Sequence, residues 1–234
     1  MQERYLKDCY EKEFESEVVE VKDDKFVVLK ETLFYPNAGG QPNDLGTLEC
    51  DGVSYNVVYV GKFSGNISHE VNKPGLKVGD KVKGKIDWDR RYLFMRCHTA
   101  AHLLSGLIHK KTGAQITGNQ ISEEKTRIDF NLPEYDREKI IGYVDDCNEL
   151  IKSGMVVKKY FMSKEDSLKD PVLFRLKDYM PPELKEFRIV ELVDFDKQAC
   201  GGTHVNNVKE IGKLEFLKVD NKGKSNRRIS FKVL

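Results

Sequence analysis

No stretch of this 234-residue chain approaches the roughly 18–20 consecutive apolar residues that a membrane span requires. The opening residues, MQERYLKDCYEKEFE, are charged and contain no apolar signal-peptide core. No two cysteines are spaced as CxxC, and their number, five, is odd: Cys9, Cys50, Cys97, Cys147 and Cys200. That pattern excludes a disulfide framework as the organising principle and points to reduced thiols in a cytoplasmic protein, most of them packing residues. There is no internal repeat and no low-complexity segment. Net charge is only +1, so the chain as a whole makes no electrostatic demand for nucleic acid. What remains is 39% apolar and 33% charged, the balance of a soluble globular protein of one large or two modest domains.

To about residue 87 the chain reads as β. SEVVEVK and KFVVLKE flank Asp23-Asp24, a hairpin signal. GTLEC, SYNVVYVGK and GNISHEV follow, and KPGLKVGDKVKGKIDW carries two glycine turns before a last alternating strand. Short strands with frequent turns predict a small sandwich or barrel. The character changes at Asp87-Trp88-Asp89. From Arg90 to Lys111, Leu93, Phe94, Ala101, Leu104, Leu107 and Ile108 recur at helical spacing, with Asp89 as N-cap and Gly113 as stop. KTRIDFNL reads as a strand. A second helix is predicted from Glu134 to Lys152, opened by Pro133. MVVKKYFM is a strand, followed by a loop-rich stretch with Pro171, Pro181 and Pro182. FRIVELVDF is another strand, QACGGTHV a turn, and GKLEFLKVD with RRISFKVL a closing hairpin. Strands and helices without regular alternation define an α+β class, divided at residues 1–88 and 89–234.

Two pairs carry the chemistry. His98 and His102, four apart on the predicted helix, lie on one face about 5–6 Å apart at Cβ, a spacing that lets two imidazoles grip one metal. The sequence between them, Thr99-Ala100-Ala101, lacks the glutamate of a HExxH zinc peptidase and with it that general base. Cys200 and His204 form a second pair in CGGTH, and thiolate and imidazole are both good zinc donors. With five histidines and five cysteines, either spacing arises by chance about 0.1 times in a chain of this length, so the two together point to a metal. Four protein donors describe a closed, structural site, whereas a catalytic site keeps a position for water or substrate. Both readings stay open. His109 shares the helix face but sits about 16 Å along the axis from His98, too far to join. His69 has no partner in sequence and reads as structural.

Lys209 to Leu234 holds eight basic residues against three acidic ones, with Lys222, Lys224, Arg227 and Arg228 around one predicted turn. It is either a solvated hairpin or a phosphate-binding face.

The segments RCHTAAHLLSGLIHKKTGAQITGNQ, QACGGTHV and KGKSNRRISF together resemble the editing domain of alanyl-tRNA synthetase. They are still more similar to its free-standing relatives, the AlaX trans-editing proteins, and FYPNAGGQPNDLGTL resembles the glycine-rich motif of their medium-length class. The resemblance covers nearly the whole chain. It implies a translation-factor-like β-barrel followed by the α+β editing domain shared with threonyl-tRNA synthetase. It implies one zinc ion on His98, His102, Cys200 and His204, and hydrolysis of tRNA(Ala) wrongly charged with serine or glycine. Thr117 matches the threonine that senses the serine hydroxyl. Its other reading is a β-branched residue in a strand or turn. A neighbouring glutamine of some synthetase editing domains is Gly118 here. Gly39, Gly40 and Gln41 either shape a turn or help to place the tRNA terminus. A release-factor role for this GGQ is disfavoured because its flanks contain no Arg or Lys. Two further functions stand beside editing: a zinc-stabilised tRNA-binding module without hydrolysis, and a zinc hydrolase of small esters or amides.

Overall fold

Asp23 and Asp24 both adopt positive φ, the conformation a two-residue hairpin turn requires. Each of the other tight turns of the β region likewise places a glycine, aspartate or serine there. The computed structural model describes residues 2–175 and 184–234. Pro181 and Pro182, assigned by sequence to a loop, lie outside the described residues. The contacts cluster into two units, Met1–Phe94 and Met95–Leu234.

In the first unit a short parallel pair, β1 (Gln2–Glu3) and β4 (Glu31–Thr32), flanks a closed barrel. The barrel strands are β2 (Glu13–Lys22), β3 (Phe26–Leu29), β5 (Gly46–Cys50), β6 (Val53–Phe63), β7 (Asn66–Val71) and β8 (Lys81–Ile86), closing in the order β2-β3-β7-β6-β5-β8. Their neighbours are all antiparallel. The alternation of KVKGKI buries Val82, Gly84 and Ile86 and exposes the lysines between them. Gly84 is required by packing: a Cβ there would come within 2.2 Å of the Phe14 ring that fills the barrel.

His69 lies fully buried in this core. Its Nδ1 is 2.9 Å from the Val27 carbonyl and so carries the proton, leaving Nε2 to accept from the Thr32 hydroxyl at 2.8 Å. Thr32 in turn accepts from the Phe34 amide. Both ring nitrogens are thus satisfied in the neutral form, and burial pushes the imidazole down to about 4.

The helix α1 (Trp88–Thr112) begins in the first unit. Its cap is Asp87, whose Oδ1 accepts from the Arg90 amide; Asp89, predicted as the cap, lies inside the first turn. Gly113, at φ +71°, ends it as expected. In the same unit Arg91 is completely buried against Asp44. Its remaining donors go to the carbonyls of Cys9 (3.1 Å) and Leu33 (2.6 Å).

The second unit holds a four-stranded antiparallel sheet ordered β14 (Leu214–Asn221), β15 (Arg227–Val233), β10 (Thr126–Phe130), β9 (Ile116–Ile121). A three-stranded sheet follows the order β11 (Val157–Ser163), β12 (Glu186–Leu192), β13 (Asp196–Ala199). The rest of α1, the helix α2 (Arg137–Ser153) and the short α3 (Lys164–Leu168) complete it. Two predictions need correction. Pro133 does not open α2; Asp136 caps it, accepting from the Lys139 amide. FRIVELVDF is not one strand, because Asp194 turns at positive φ and the chain returns as β13. Leu103, Leu104, Ile108, Phe130, Cys147 and Phe231 meet in the core of this unit. The class is α+β with a closed barrel, as the sequence implied.

The neutral state of His69 ties barrel stability to pH. Its folded value lies below the unfolded 6.5, so the unfolded chain binds a proton that the barrel refuses. Stability therefore falls as pH drops from 6.5 towards 4, by about 3 kcal/mol in all. Denaturant titrations of the wild type and His69→Gln should show their stability difference narrowing by that order between pH 7 and 4. A difference constant with pH would refute this.

Candidate metal centre

Helix periodicity places His98 and His102 one turn apart on α1, and the β12–β13 hairpin delivers Cys200 and His204 to meet them. Cys200 follows β13, its amide bonded to the Arg188 carbonyl at 2.9 Å. The turn that follows is clamped from inside. Arg188 Nη1 donates to the carbonyls of Cys200 (2.9 Å) and Gly202 (2.8 Å), and the Gly202 amide donates to Cys200 Sγ at 3.3 Å. On the far side of the turn Lys159 donates to the carbonyls of His204 and Val205 and to Asn206.

The donor atoms of the four side chains all lie within 4.8 Å of one another. Cys200 Sγ is 3.5 Å from His98 Nε2 and 3.4 Å from His204 Nε2. Zinc bonds of about 2.0–2.3 Å in a tetrahedron space their ligand atoms about 3.3–3.6 Å apart, so these separations fit. The protonation states fit as well. Burial first, and the charge of Arg188 second, push His98 down to about 3. His102 and His204 are held well below 6.5, again mainly by burial. All three imidazoles are neutral at pH 7, the form that binds a metal.

Thr99, which the sequence reading passed over, fixes the ring of His204. Its hydroxyl donates to the Met95 carbonyl at 2.9 Å and so accepts from His204 Nδ1, 3.2 Å away, and from the Val205 amide, 3.2 Å away. The proton on Nδ1 leaves the Nε2 lone pair facing Cys200. Nothing in the spacing of HTAAH singles Thr99 out, since its partner lies 105 positions away. Arg188 and Lys159 were equally invisible.

The other candidates fall elsewhere. Thr117 is exposed on β9 and donates to Asn226 Oδ1 at 2.9 Å. Gly39 and Gly40 form a two-residue turn at φ +59° and +84°, closed by Ala38–Gln41 backbone bonds of 2.9 and 3.2 Å. Gln41 is fully buried in the first unit, while Gly39 is exposed. Lys222 and Lys224 are exposed. Arg227, predicted to contact tRNA, is 4% exposed, and its guanidinium donates to Asn221 and to the Gly223, Asn226 and Pro133 carbonyls. It closes the turn from within. Arg228 makes a two-pronged pair with Asp129, both bonds 2.7 Å. His109 Nδ1 lies 3.0 Å from the carbonyl of Ala114, just beyond the end of α1.

Comparison with known proteins agrees with this architecture. A family model described as tRNA synthetases class II (A) matches residues 2–90, and one described as threonyl and alanyl tRNA synthetase second additional domain matches residues 187–230. The alanyl-tRNA editing protein AlaX-M of Methanosarcina barkeri is 51% identical over 234 residues, covering 97% of this chain and 96% of the relative. That of Methanosarcina acetivorans is 48% identical over 239 residues, 98% of each. The alanine–tRNA ligase of Sulfurisphaera tokodaii is 33% identical over 223 residues, 92% of this chain but 24% of the ligase. The chain belongs to the AlaX-M family of alanyl-tRNA editing proteins.

Replacing Thr99 by valine keeps its shape and removes the acceptor for His204. Zinc affinity, measured by competition with a chromogenic chelator, should fall about 10–100-fold, with Thr99→Ser close to wild type. Equal affinity in Thr99→Val would show that the hydroxyl does not orient the ligand.

Proposed function

We propose that this protein is an aminoacyl-tRNA deacylase that hydrolyses serine, and also glycine, from wrongly charged tRNA(Ala), with one zinc ion on His98, His102, Cys200 and His204. The observation that carries the reading is the convergence of four donors, three of them imidazoles kept neutral by burial, in a member of an editing family. His98, His102, Cys200 and His204 would hold the ion, which would supply Lewis acidity to an ester that is already activated. The chain's own residues supply placement. Thr99 and Arg188 hold His204 and Cys200 in register, which keeps the reacting geometry fixed and leaves little reorganisation at the moment of reaction.

Thr117 is assigned the serine hydroxyl. Its own proton is committed to Asn226, which leaves the oxygen free to accept from a substrate hydroxyl. A group of this kind favours a ligand that carries the hydroxyl over one that lacks it. The exposed Gly39-Gly40 turn, anchored by buried Gln41, is assigned to the tRNA terminus through its backbone. Lys222, Lys224 and Arg228 are assigned to phosphates, with Arg228 partly neutralised by Asp129. One specific observation favours the non-hydrolytic alternative, a zinc-stabilised tRNA-binding module: four gathered donors are the ligand number of a closed, structural zinc site.

The two are separated by following ester loss from Ser-tRNA(Ala), Gly-tRNA(Ala) and Ala-tRNA(Ala). Release of serine and glycine with alanine retained is expected. Binding of all three without release would establish the module instead. Cys200→Ala should lose stoichiometric zinc and at least about 100-fold in deacylation, beyond what an outer-sphere change produces. Retention of one zinc per chain would remove Cys200 from the site.

Replacing Gly39 and Gly40 together by alanine strains two left-handed positions at about 1–3 kcal/mol each. Deacylation should fall while zinc content is unchanged, because the four ligands belong to the other unit. Full activity in that variant would free the turn from any role.

A further inference from the structure

The two halves of the metal centre arrive on separate elements, His98 and His102 on α1, Cys200 and His204 beyond β13. The backbone of a helix is hydrogen-bonded within itself, so side chains must hold the hairpin to it at the right distance. At the His204 end Thr99 does this. A second hydroxyl of α1 serves the Cys200 end.

Ser105, 2% exposed, donates to the His102 carbonyl at 3.1 Å. With its proton so committed, its oxygen accepts from Gln198 Nε2 at 3.1 Å. Gln198 is buried on β13, two residues before Cys200. The second hydrogen of its Nε2 goes to Asp196 Oδ2 at 2.8 Å. Asp196 is fixed in turn by buried Arg175, whose Nη2 donates to its Oδ1 at 2.5 Å and whose Nε donates to the Val172 carbonyl at 2.9 Å. The helix is shaped for this contact. A Cβ on Gly106 would come within 2.8 Å of Asp196 Cγ, so the only glycine of α1 stands where the carboxylate packs. A chain of bonds thus runs from the backbone of one metal-centre residue, His102, to a residue two places from another, Cys200.

The segment from Gln198 to Val205 is therefore fastened to α1 at both ends, by Ser105 and by Thr99. Each hydroxyl also bonds the carbonyl of an earlier residue of its own helix, which fixes its direction. Stability does not account for the Ser105 end. A buried polar chain stabilises little compared with apolar residues of the same volume. Apolar contact has no preferred register, however, whereas a metal centre needs its donors placed to about 0.5 Å.

Resting on the zinc reading of the four-donor centre, we propose that the Ser105–Gln198 hydrogen bond, backed by Asp196 and Arg175, sets the distance between the imidazoles of α1 and the Cys200 thiolate. Ser105 and Gln198 are positioning residues. They act through the backbone of His102 and through the strand that delivers the thiolate.

The test uses the full chain with two metals, zinc to read affinity and cobalt(II) to read thiolate coordination. Gln198→Met keeps the volume and loses the donor; Ser105→Ala loses the acceptor. Each should bind zinc about 10–100-fold more weakly than wild type in competition with a chelator. Each should also change the energy or intensity of the thiolate-to-cobalt absorption band. Because both remove the same bond, the double variant should lose no more than the larger single loss. A merely structural role lowers the melting temperature of the metal-free protein and leaves affinity and band as in wild type. That result overturns the proposal, as does a double variant whose loss is the product of the single losses. The unaltered protein gives a readout that does not depend on the variants folding. Titrating zinc into the metal-free wild type should shift the Gln198 side-chain N–H resonances until one ion per chain is bound, and unshifted resonances overturn the proposal. Absence of zinc binding by the wild type overturns the metal centre itself.

Discussion

Removing water from three imidazoles and a thiol gathered at one point is the constraint around which the second unit is organised. Each group is brought there by a different local rule: helix periodicity for His98 and His102, a hairpin return for Cys200, a clamped turn for His204. Desolvation keeps the rings uncharged, and for His204 the hydrogen bond to Thr99 decides which nitrogen faces the centre.

Each unit also buries an arginine against an aspartate. In the first, Arg91 and Asp44 are fully enclosed and the remaining guanidinium donors take backbone carbonyls from two separate loops. In the second, Arg175 and Asp196 are nearly as enclosed but one donor is left over. Burying a charge pair stabilises little compared with an apolar pair of the same volume. What the Arg91 pair contributes is a unique path for segments 33–44 that hydrophobic contact alone would not specify. Asp44 also accepts from the Tyr35 amide at 2.7 Å, which fixes the base of the Gly39-Gly40 turn.

His98, His102, Cys200 and His204 stand out in the sequence because two rare residue types recur at a fixed spacing, and the fold brings the four together. Short strands closed by turns were legible because Asp, Gly and Ser stand where positive φ is required, which left a small sandwich or a barrel; the family resemblance implied the barrel. Strands β9 and β13 are less legible: Gly118-Asn119-Gln120 interrupts the β-branched residues of ITGNQI, DKQA has no β-branched or aromatic residue, and the pairing partners decide their state. The start of α2 was misjudged because proline is permitted at a first turn but does not compel one, whereas Asp136 satisfies an orphan amide. Thr99 and Arg188 take their places through partners distant in sequence, and no local pattern encodes that. The burial of Arg227 is not legible either, because its donors fit the carbonyls of its own turn and no local pattern signals that.

That inward-facing arginine has an effect on its neighbours. By taking the Gly223 and Asn226 carbonyls together with Asn221 and Pro133, Arg227 ties the tip of the hairpin to the body of the unit. Lys222 and Lys224 therefore project from a backbone that is already ordered. A polyanion meeting them would find the loop in its docked shape before contact, with the conformational entropy of the loop surrendered during folding and not during association.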